Sequence, residues 1–222
     1  MMEKEWNDEE WQELANQLSE PQGDAGIKTG EMMASSNENM IFRTIDLLGL
    51  SVDEEVLEIG HGSASHLNAL MRKASGLEYT GIDISLTMIE EAKRINSALI
   101  DAGSVSFHLS DGLHIDFSDN QFDKIFTVNT LYFWKDPKAY AQEIYRVLKP
   151  GGSFCLAIAT KDFMEKLPFT KWVFQLYNRS MAEELLSSAG FSIQSVAEEK
   201  DIAISRTGEQ VERDIIIVTA GK

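Results

Sequence analysis

The stretch VLEIGHGSA, residues 56–64, decides the fold of this 222-residue chain. It begins as a short apolar strand, and Gly60 and Gly62 then predict a tight turn that leads into a helix. A glycine at such a turn lets the backbone approach a ligand, because no Cβ stands in the way. Glu58 places a carboxylate directly before the turn. We therefore expect a ligand site at the carboxyl end of this strand.

A second acid, Asp83, ends the next predicted strand. An acid at this point of a βαβ unit can accept hydrogen bonds from both ribose hydroxyls of a nucleoside. Ser65 stands where a dinucleotide-binding turn has its third glycine, which counts against NAD and FAD. The turn and the acid leave two interpretations open. One is a nucleoside site, and the other is a structural turn beside a surface aspartate.

Strand-like and helix-like segments alternate after residue 55. Strands are predicted at 56–59, 79–83, 105–109, 122–129 and 153–159, with helices at 64–74, 86–102, 136–148 and 181–189. Such alternation is typical of a parallel sheet covered by helices on both faces. The chain end differs, because strands at 191–204 and 213–219 are joined by a turn at 206–210. A connection this short requires antiparallel pairing.

The N-terminal region predicts a helical cap. Residues 5–20 have the apolar spacing of an amphipathic helix, whereas 21–36 are rich in glycine and predict a loop. The next helix is expected to begin at Ser36 or Asn37 and to end at Gly49.

We predict two parts in the chain. Residues 1–35 form a cap or lid, and residues 36–222 form the main domain. Within that domain, residues 163–177 are predicted to close over a substrate.

Further polar groups follow the later strands. Asp111–Gly112 comes after the third strand and Asn129 ends the fourth. Open α/β sheets bind ligands at the carboxyl ends of their strands, so these groups are expected beside Gly60 and Asp83.

These motifs, in this order, resemble the class I S-adenosylmethionine-dependent methyltransferases, and within them the ubiquinone/menaquinone-methyltransferase-like (methyltransferase type 11) group. The resemblance covers about residues 21–160, and it rests on residues 56–62, 81–85, 111–112, 122–125 and 148–152. Ala64 departs from the family, which often has a third glycine there. The resemblance implies a Rossmann-like, doubly wound α/β sheet of seven strands, in the order 3-2-1-4-5-7-6 with strand 7 antiparallel.

The resemblance also implies S-adenosylmethionine as cofactor, S-adenosylhomocysteine as product, and a role for each motif residue. The methionine part would lie against Glu58, Gly60 and Gly62, with Asn129 beside its amine. Asp83 would hold the ribose. The adenine would be bound by Ile84, Asp111, Gly112 and Leu113.

The amino-acid composition narrows the chemical class of the methyl acceptor. The formal net charge is −16, with 36 acidic and 20 basic residues. Such a balance disfavours nucleic acid, whose binding depends on cationic side chains. We therefore expect a small-molecule acceptor.

The N-terminus has no apolar signal segment, and no apolar run is long enough to span a bilayer, so a cytoplasmic protein is expected. The single cysteine, Cys155, is expected in a buried strand, and no metal site is predicted.

The sequence gives only an outline of the acceptor site. Aromatic residues at 131–134 and 163–177 are expected to line its site, and the candidate contacts are Tyr132, Trp134, His114 and Trp172. No catalytic residue is assigned, because methyl transfer to a nucleophilic acceptor needs alignment in a dry cleft more than it needs a base. The atom that is methylated and the oligomeric state stay open. Two alternatives also remain, namely a non-catalytic nucleoside-binding paralogue and a protein methyltransferase.

Overall fold

The computed structural model describes residues 6–205 and 208–222. Its centre is one mixed sheet in the order β3-β2-β1-β4-β5-β7-β6. The first five strands run parallel, and β7 is antiparallel to both of its neighbours, as predicted. The strands are β1 (Glu55–Ile59), β2 (Glu78–Asp83), β3 (Val105–Leu109), β4 (Phe122–Val128), β5 (Leu148–Ala159), β6 (Ser192–Ile204) and β7 (Gln210–Gly221).

Helices cover both faces of the sheet. They are α1 (Asp8–Ser19), α2 (Gly23–Leu48), α3 (Leu67–Leu70), α4 (Leu86–Ile95), α5 (Ser97–Asp101), α6 (Pro137–Val147), α7 (Lys161–Met164) and α8 (Arg179–Ser188), with short 3-10 helices at Leu131–Phe133 and Pro168–Lys171. None of the helices in the described residues is both long and apolar enough to cross a bilayer.

Alternating side chains of the strands build two apolar layers. On β1, Val56 packs on the side of α2, α3 and α4, whereas Leu57 packs on the side of α6 and α8. This follows from strand geometry, which turns successive side chains to opposite faces. Cys155 lies on the first side and is buried, as predicted, and burial raises the pKa of its thiol to about 11.

The predicted loop at residues 21–36 is wrong, because α2 begins at Gly23 and runs unbroken across that region. Neither Ser36 nor Asn37 is an N-cap. The glycines serve close packing instead of a loop. A Cβ on Gly26 would lie 2.6 Å from the backbone of Pro21, and a Cβ on Gly30 would lie 2.7 Å from the sulfur of Met88. Gly49 ends the helix in the left-handed conformation, as expected.

Two predicted helices are shorter in the structure. Of residues 64–74, only Leu67–Leu70 are helical, and Ala64 has φ +49°, which excludes it from a right-handed helix. The predicted helix at 86–102 is divided into α4 and α5 at Asn96, whose buried side chain donates to the carbonyl groups of Ala64 and Ala92. The predicted turn at 206–210 falls partly outside the described residues, since 206 and 207 are not described.

Candidate active site

Two adjoining cavities open at the carboxyl ends of the parallel strands. The first cavity has a volume of about 350 Å³ and is lined by residues of the turns that follow β1, β2, β3 and β4. It includes most of the predicted cofactor residues, namely Glu58, Gly60, Gly62, Asp83, Ile84, Asp111, Gly112 and Asn129. Leu113 is not among its lining residues. Parallel strands of an open sheet end at one edge, which is why residues so far apart in sequence meet here.

The glycine turn needs glycine at two positions for different reasons. Gly60 has φ +72°, and a Cβ on it would overlap the side chain of Thr130. Gly62 has φ +54°, and a Cβ there would have no protein atom within 4 Å. The backbone of Gly62 therefore faces open space, as expected of a turn that a ligand approaches closely.

Asp83 is 8% exposed and joins two elements of the site. Its Oδ2 accepts a hydrogen bond from the backbone N–H of Gly62 at 3.0 Å, and its Oδ1 accepts one from that of Ser85 at 2.9 Å. Burial raises the pKa of this carboxyl group, and the two backbone donors only partly oppose the shift. A carboxylate oxygen can accept more than one hydrogen bond, so both oxygens keep capacity for a ligand.

Glu58 is buried at the end of β1, and two neighbouring side chains hold its carboxylate through one oxygen. Its Oε2 accepts hydrogen bonds from Tyr79, at 2.5 Å, and from His66 Nε2, at 2.9 Å. Burial by itself would raise the pKa of Glu58, but His66 and Tyr79 outweigh it and hold this pKa below its usual value. The two partners fix the side chain of Glu58 while leaving Oε1 for other contacts.

His61 fills the space beneath the glycine turn. It is buried, its Nδ1 lies 2.6 Å from the carbonyl oxygen of Gly62, and its ring packs against Phe107. Burial lowers its pKa, which favours the neutral ring. Within residues 6–205 and 208–222, no group of three His, Cys, Asp or Glu side chains could hold a metal ion.

At the far end of the first cavity an acid, Asp111, lies beside exposed apolar side chains, of which Ile84 lines the cavity and Leu113 lies outside its lining. Ile84 and Leu113 are each 36% exposed, on either side of the Asp111–Gly112 turn. Asp111 accepts from the backbone N–H groups of Leu113 and His114 and from the His114 ring, and these bonds hold its pKa far below the usual range. His114 is thereby paired at the surface and lines neither cavity.

Asn129 lies at the boundary between the two cavities. Its backbone is left-handed, with φ +58°, which is unusual for a residue other than glycine. Its Oδ1 accepts hydrogen bonds from Ala159 N–H and Tyr132 Oη, both at 3.1 Å. Because the Ala159 N–H can only donate, the orientation of the amide is settled. Its Nδ2 donates to Asn37 of α2 at 3.0 Å.

The second cavity has a volume of about 390 Å³ and is mainly apolar. Trp11 of α1 approaches Phe169 above it, with ring centroids 6.5 Å apart, and Phe174 packs against Phe133 at 4.7 Å. Residues of the segment 163–177 line this cavity, as do residues of α1 and α2, and whether the segment acts as a lid stays a prediction. Five residues line both cavities and form what we call the shared wall: Leu18, Met33, Asn37, Asn129 and Phe133.

The four candidate acceptor residues are not brought together. Tyr132 lines the second cavity, whereas Trp134 is only 5% exposed and lines the first. Trp134 donates from Nε1 to Thr130 and packs edge-on against Tyr140 within the core. His114 and Trp172 line neither cavity.

Sequence reasoning missed the contribution of α2 to both cavities. Gly30, Met33, Ala34, Asn37 and Ile41 line the first cavity from this helix. A signal was present, because Gly26, Gly30 and Ala34 recur every fourth residue and so share one helix face. No local signal marks Arg213, which reaches the second cavity from β7.

The chain resembles known methyltransferases in sequence. A family model described as a methyltransferase domain matches residues 57–156. O-methyltransferase resE of Aspergillus sclerotiorum is 28% identical over 77% of this chain and 67% of its own length. Methyltransferase GfsG of Streptomyces halstedii is 30% identical over 56% of this chain, which spans less than half (45%) of that relative.

Solved structures share the fold. A methyltransferase from Haloferax volcanii, in complex with the Trm112 activator, superposes with a TM-score of 0.77 at 19% identity and covers 94% of this chain and 96% of its own. A SAM-dependent methyltransferase from Aquifex aeolicus gives 0.66 at 19% identity, over 97% and 98% of the two chains. The strand order and the solved structures therefore show the fold of the class I methyltransferases, and residues 57–156 match the methyltransferase domain within it.

Proposed function

We propose that this protein transfers the methyl group of S-adenosylmethionine to a small-molecule acceptor, with the cofactor in the first cavity and the acceptor in the second. The observation that carries the proposal is the shared wall. A methyl group moves directly from donor to acceptor, so their sites must adjoin. The two cavities do adjoin, at Leu18, Met33, Asn37, Asn129 and Phe133.

The first cavity suits this cofactor in charge and shape. S-adenosylmethionine carries a sulfonium and an ammonium group, and the cavity offers the carboxylates of Glu58, Asp83 and Asp111. In our assignment, Asp83 accepts from the ribose hydroxyls, and the adenine lies by Ile84, Asp111, Gly112 and Leu113. The open space before Gly62 then receives the methionine part, close to Glu58, Gly60 and Asn129.

The second cavity suits an apolar acceptor. Of the described residues that line it, most are aliphatic or aromatic, and Phe133, Phe163 and Phe169 are among them. A concave, mainly apolar cavity with a few polar groups is the usual form of a small-molecule site. The excess of acidic residues supports a small molecule over a nucleic acid.

When bound, the cofactor would supply an electrophilic methyl group on a sulfonium, and the positive charge of the sulfonium disappears on transfer. The protein's contribution is to position the two reactants and to exclude water. Asn129 is held by Tyr132, Ala159 and Asn37, so its position at the shared wall is fixed before the reactants bind. Trp11 and Phe169 cover the acceptor side, where they keep water out.

Two measurements test this function. Calorimetric titration should detect binding of S-adenosylmethionine and S-adenosylhomocysteine. Incubation with methyl-labelled cofactor and fractionated metabolite extracts should then label a small molecule. Failure to bind either form would refute the cofactor assignment. Label appearing only in protein or nucleic acid would refute the acceptor class.

A further inference from the structure

One charged side chain lies in the acceptor cavity. Of the described residues that line the cavity, Arg213 is the only one with an ionic group, and it is 6% exposed. The protein as a whole is strongly acidic, with a net charge of −16. A buried cation in an apolar cavity of an acidic protein is costly, so its role needs an explanation.

Arg213 lies next to the shared wall. Its Nη1 donates to Asn37 Oδ1 at 2.9 Å, and the same oxygen accepts from Asn129 Nδ2 at 3.0 Å. Asn37 and Asn129 both belong to the wall through which the methyl group must pass. The guanidinium is therefore at the reactive end of the cavity.

Arg213 keeps one donor for a ligand. Its Nε and Nη2 both approach Asp201 Oδ2 at 2.7 Å, and Nη2 also donates to the carbonyl oxygen of Ser36 at 3.1 Å. Arginine has five N–H donors, and these contacts together with Asn37 use four of them. Among the described residues, the second N–H of Nη1 has no acceptor.

We propose, on the basis of the function above, that the acceptor is an apolar molecule bearing an oxyanion, a carboxylate or a phenolate, and that Arg213 selects it for O-methylation. A guanidinium recognises oxyanions by charge-assisted hydrogen bonds. The apolar remainder of the acceptor would fill the space lined by Leu14, Phe163 and Phe169.

The chemistry needs no base. The acceptor oxygen forms a bond to the methyl carbon while the carbon–sulfur bond breaks and its electron pair stays on sulfur. The negative charge of the oxyanion and the positive charge of the sulfonium cancel, and no proton moves. This agrees with the lining of the cavity, where no described residue is a histidine, aspartate, glutamate or lysine. An amine acceptor is disfavoured, because it must be deprotonated and would meet a cation.

Paired probes test the proposal. With S-adenosylhomocysteine bound, calorimetry would compare octanoate with methyl octanoate, and 4-nitrophenolate with 4-nitroanisole. We expect an oxyanion of one pair to bind at least tenfold more tightly than its methylated partner, and Arg213→Met to abolish that preference. The probe pair that shows this preference identifies the acceptor group as a carboxylate or as a phenolate. Arg43→Met is the matched control, since Arg43 forms an exposed ion pair with Glu199.

Asp201→Asn gives a second test if Arg213→Met does not fold. Without its partner, Arg213 should bind the oxyanion more tightly, and octanoate should raise the melting temperature of this variant more than methyl octanoate does. A purely structural ion pair predicts no such difference. Equal binding of charged and neutral probes, or tighter binding of octylamine, would overturn the proposal. Either of these results would still leave the proposed function intact, as long as the cofactor and the neutral probes bind.

Discussion

Asp83 and Gly62 are joined by a hydrogen bond of 3.0 Å from the glycine N–H to the carboxylate. The acid that ends β2 thus also holds the turn that follows β1. In our assignment these two residues bind the ribose and the methionine part of one molecule. The bond places both parts of the cofactor site in a fixed relationship before any ligand arrives, which lowers the ordering cost of binding.

Asp83→Asn should weaken binding of S-adenosylmethionine at least tenfold, which corresponds to about 1.4 kcal/mol. The reason is the loss of charge-assisted acceptance from the ribose hydroxyls. Titration calorimetry provides the measurement, with Asp101→Asn, an exposed substitution on α5, as the control. Equal affinity of Asp83→Asn and wild type would remove Asp83 from the site.

Gly62→Ala and Gly49→Ala should separate backbone strain from ligand contact. Both glycines have positive φ and open space around a new Cβ, so both variants should lose about 1–2 kcal/mol of unfolding free energy. Only Gly62→Ala should also lose cofactor affinity, because its methyl group occupies the first cavity. Chemical denaturation and cofactor titration of both variants check this. A similar affinity loss in Gly49→Ala would point to a general effect of strain.

Tyr79→Phe should cost about 1–3 kcal/mol of stability, because it removes a buried hydrogen bond to the Glu58 carboxylate. Glu58 has a pKa lowered in the folded state, so its stabilising contribution is complete above the unfolded pKa of about 4.3 and is lost as the pH falls through the folded pKa. The difference between Tyr79→Phe and wild type should therefore be largest near neutral pH and shrink in acid. Urea denaturation across this pH range measures it, with Tyr145→Phe as the control. A difference that does not change with pH would argue against coupling to Glu58.

Ala203→Phe should fill the acceptor cavity, which Ala203 lines from β6. Binding of methyl octanoate should fall at least tenfold while S-adenosylhomocysteine affinity stays near wild type. Ile202→Phe is the matched control, since its neighbouring side chain is 41% exposed and points to the opposite face of the strand. If the two variants bind the probe equally well, the acceptor lies elsewhere.

Trp134→Ala should be strongly destabilising, by about 3–5 kcal/mol, because the indole is buried against Tyr140 and bonded to Thr130. Thermal unfolding measures the loss. Retained stability with lost turnover would instead place Trp134 at the acceptor, as the aromatic run at 131–134 suggested.

The sequence by itself determined the sheet and which turns meet at its carboxyl edge in the first cavity. The positions of Gly60, Gly62 and Asp83 could be predicted from the sequence, because a turn with positive φ needs glycine and because the end of a strand fixes where a carboxylate lies. The antiparallel β7 followed from the short connection between the last two strands. These are local constraints, carried by neighbouring residues.

The acceptor side was decided by tertiary structure. Gly26 and Gly30 suggested a loop, yet they belong to a helix, because the reason for them is close packing against Pro21 and Met88. Arg213 and Asn37 are separated by 176 positions in sequence and meet only when β7 and α2 pack together. A contact between distant segments leaves no periodic or spacing signal in either one. The carboxyl edge of the sheet could therefore be predicted, whereas the shared wall and its arginine required the folded chain.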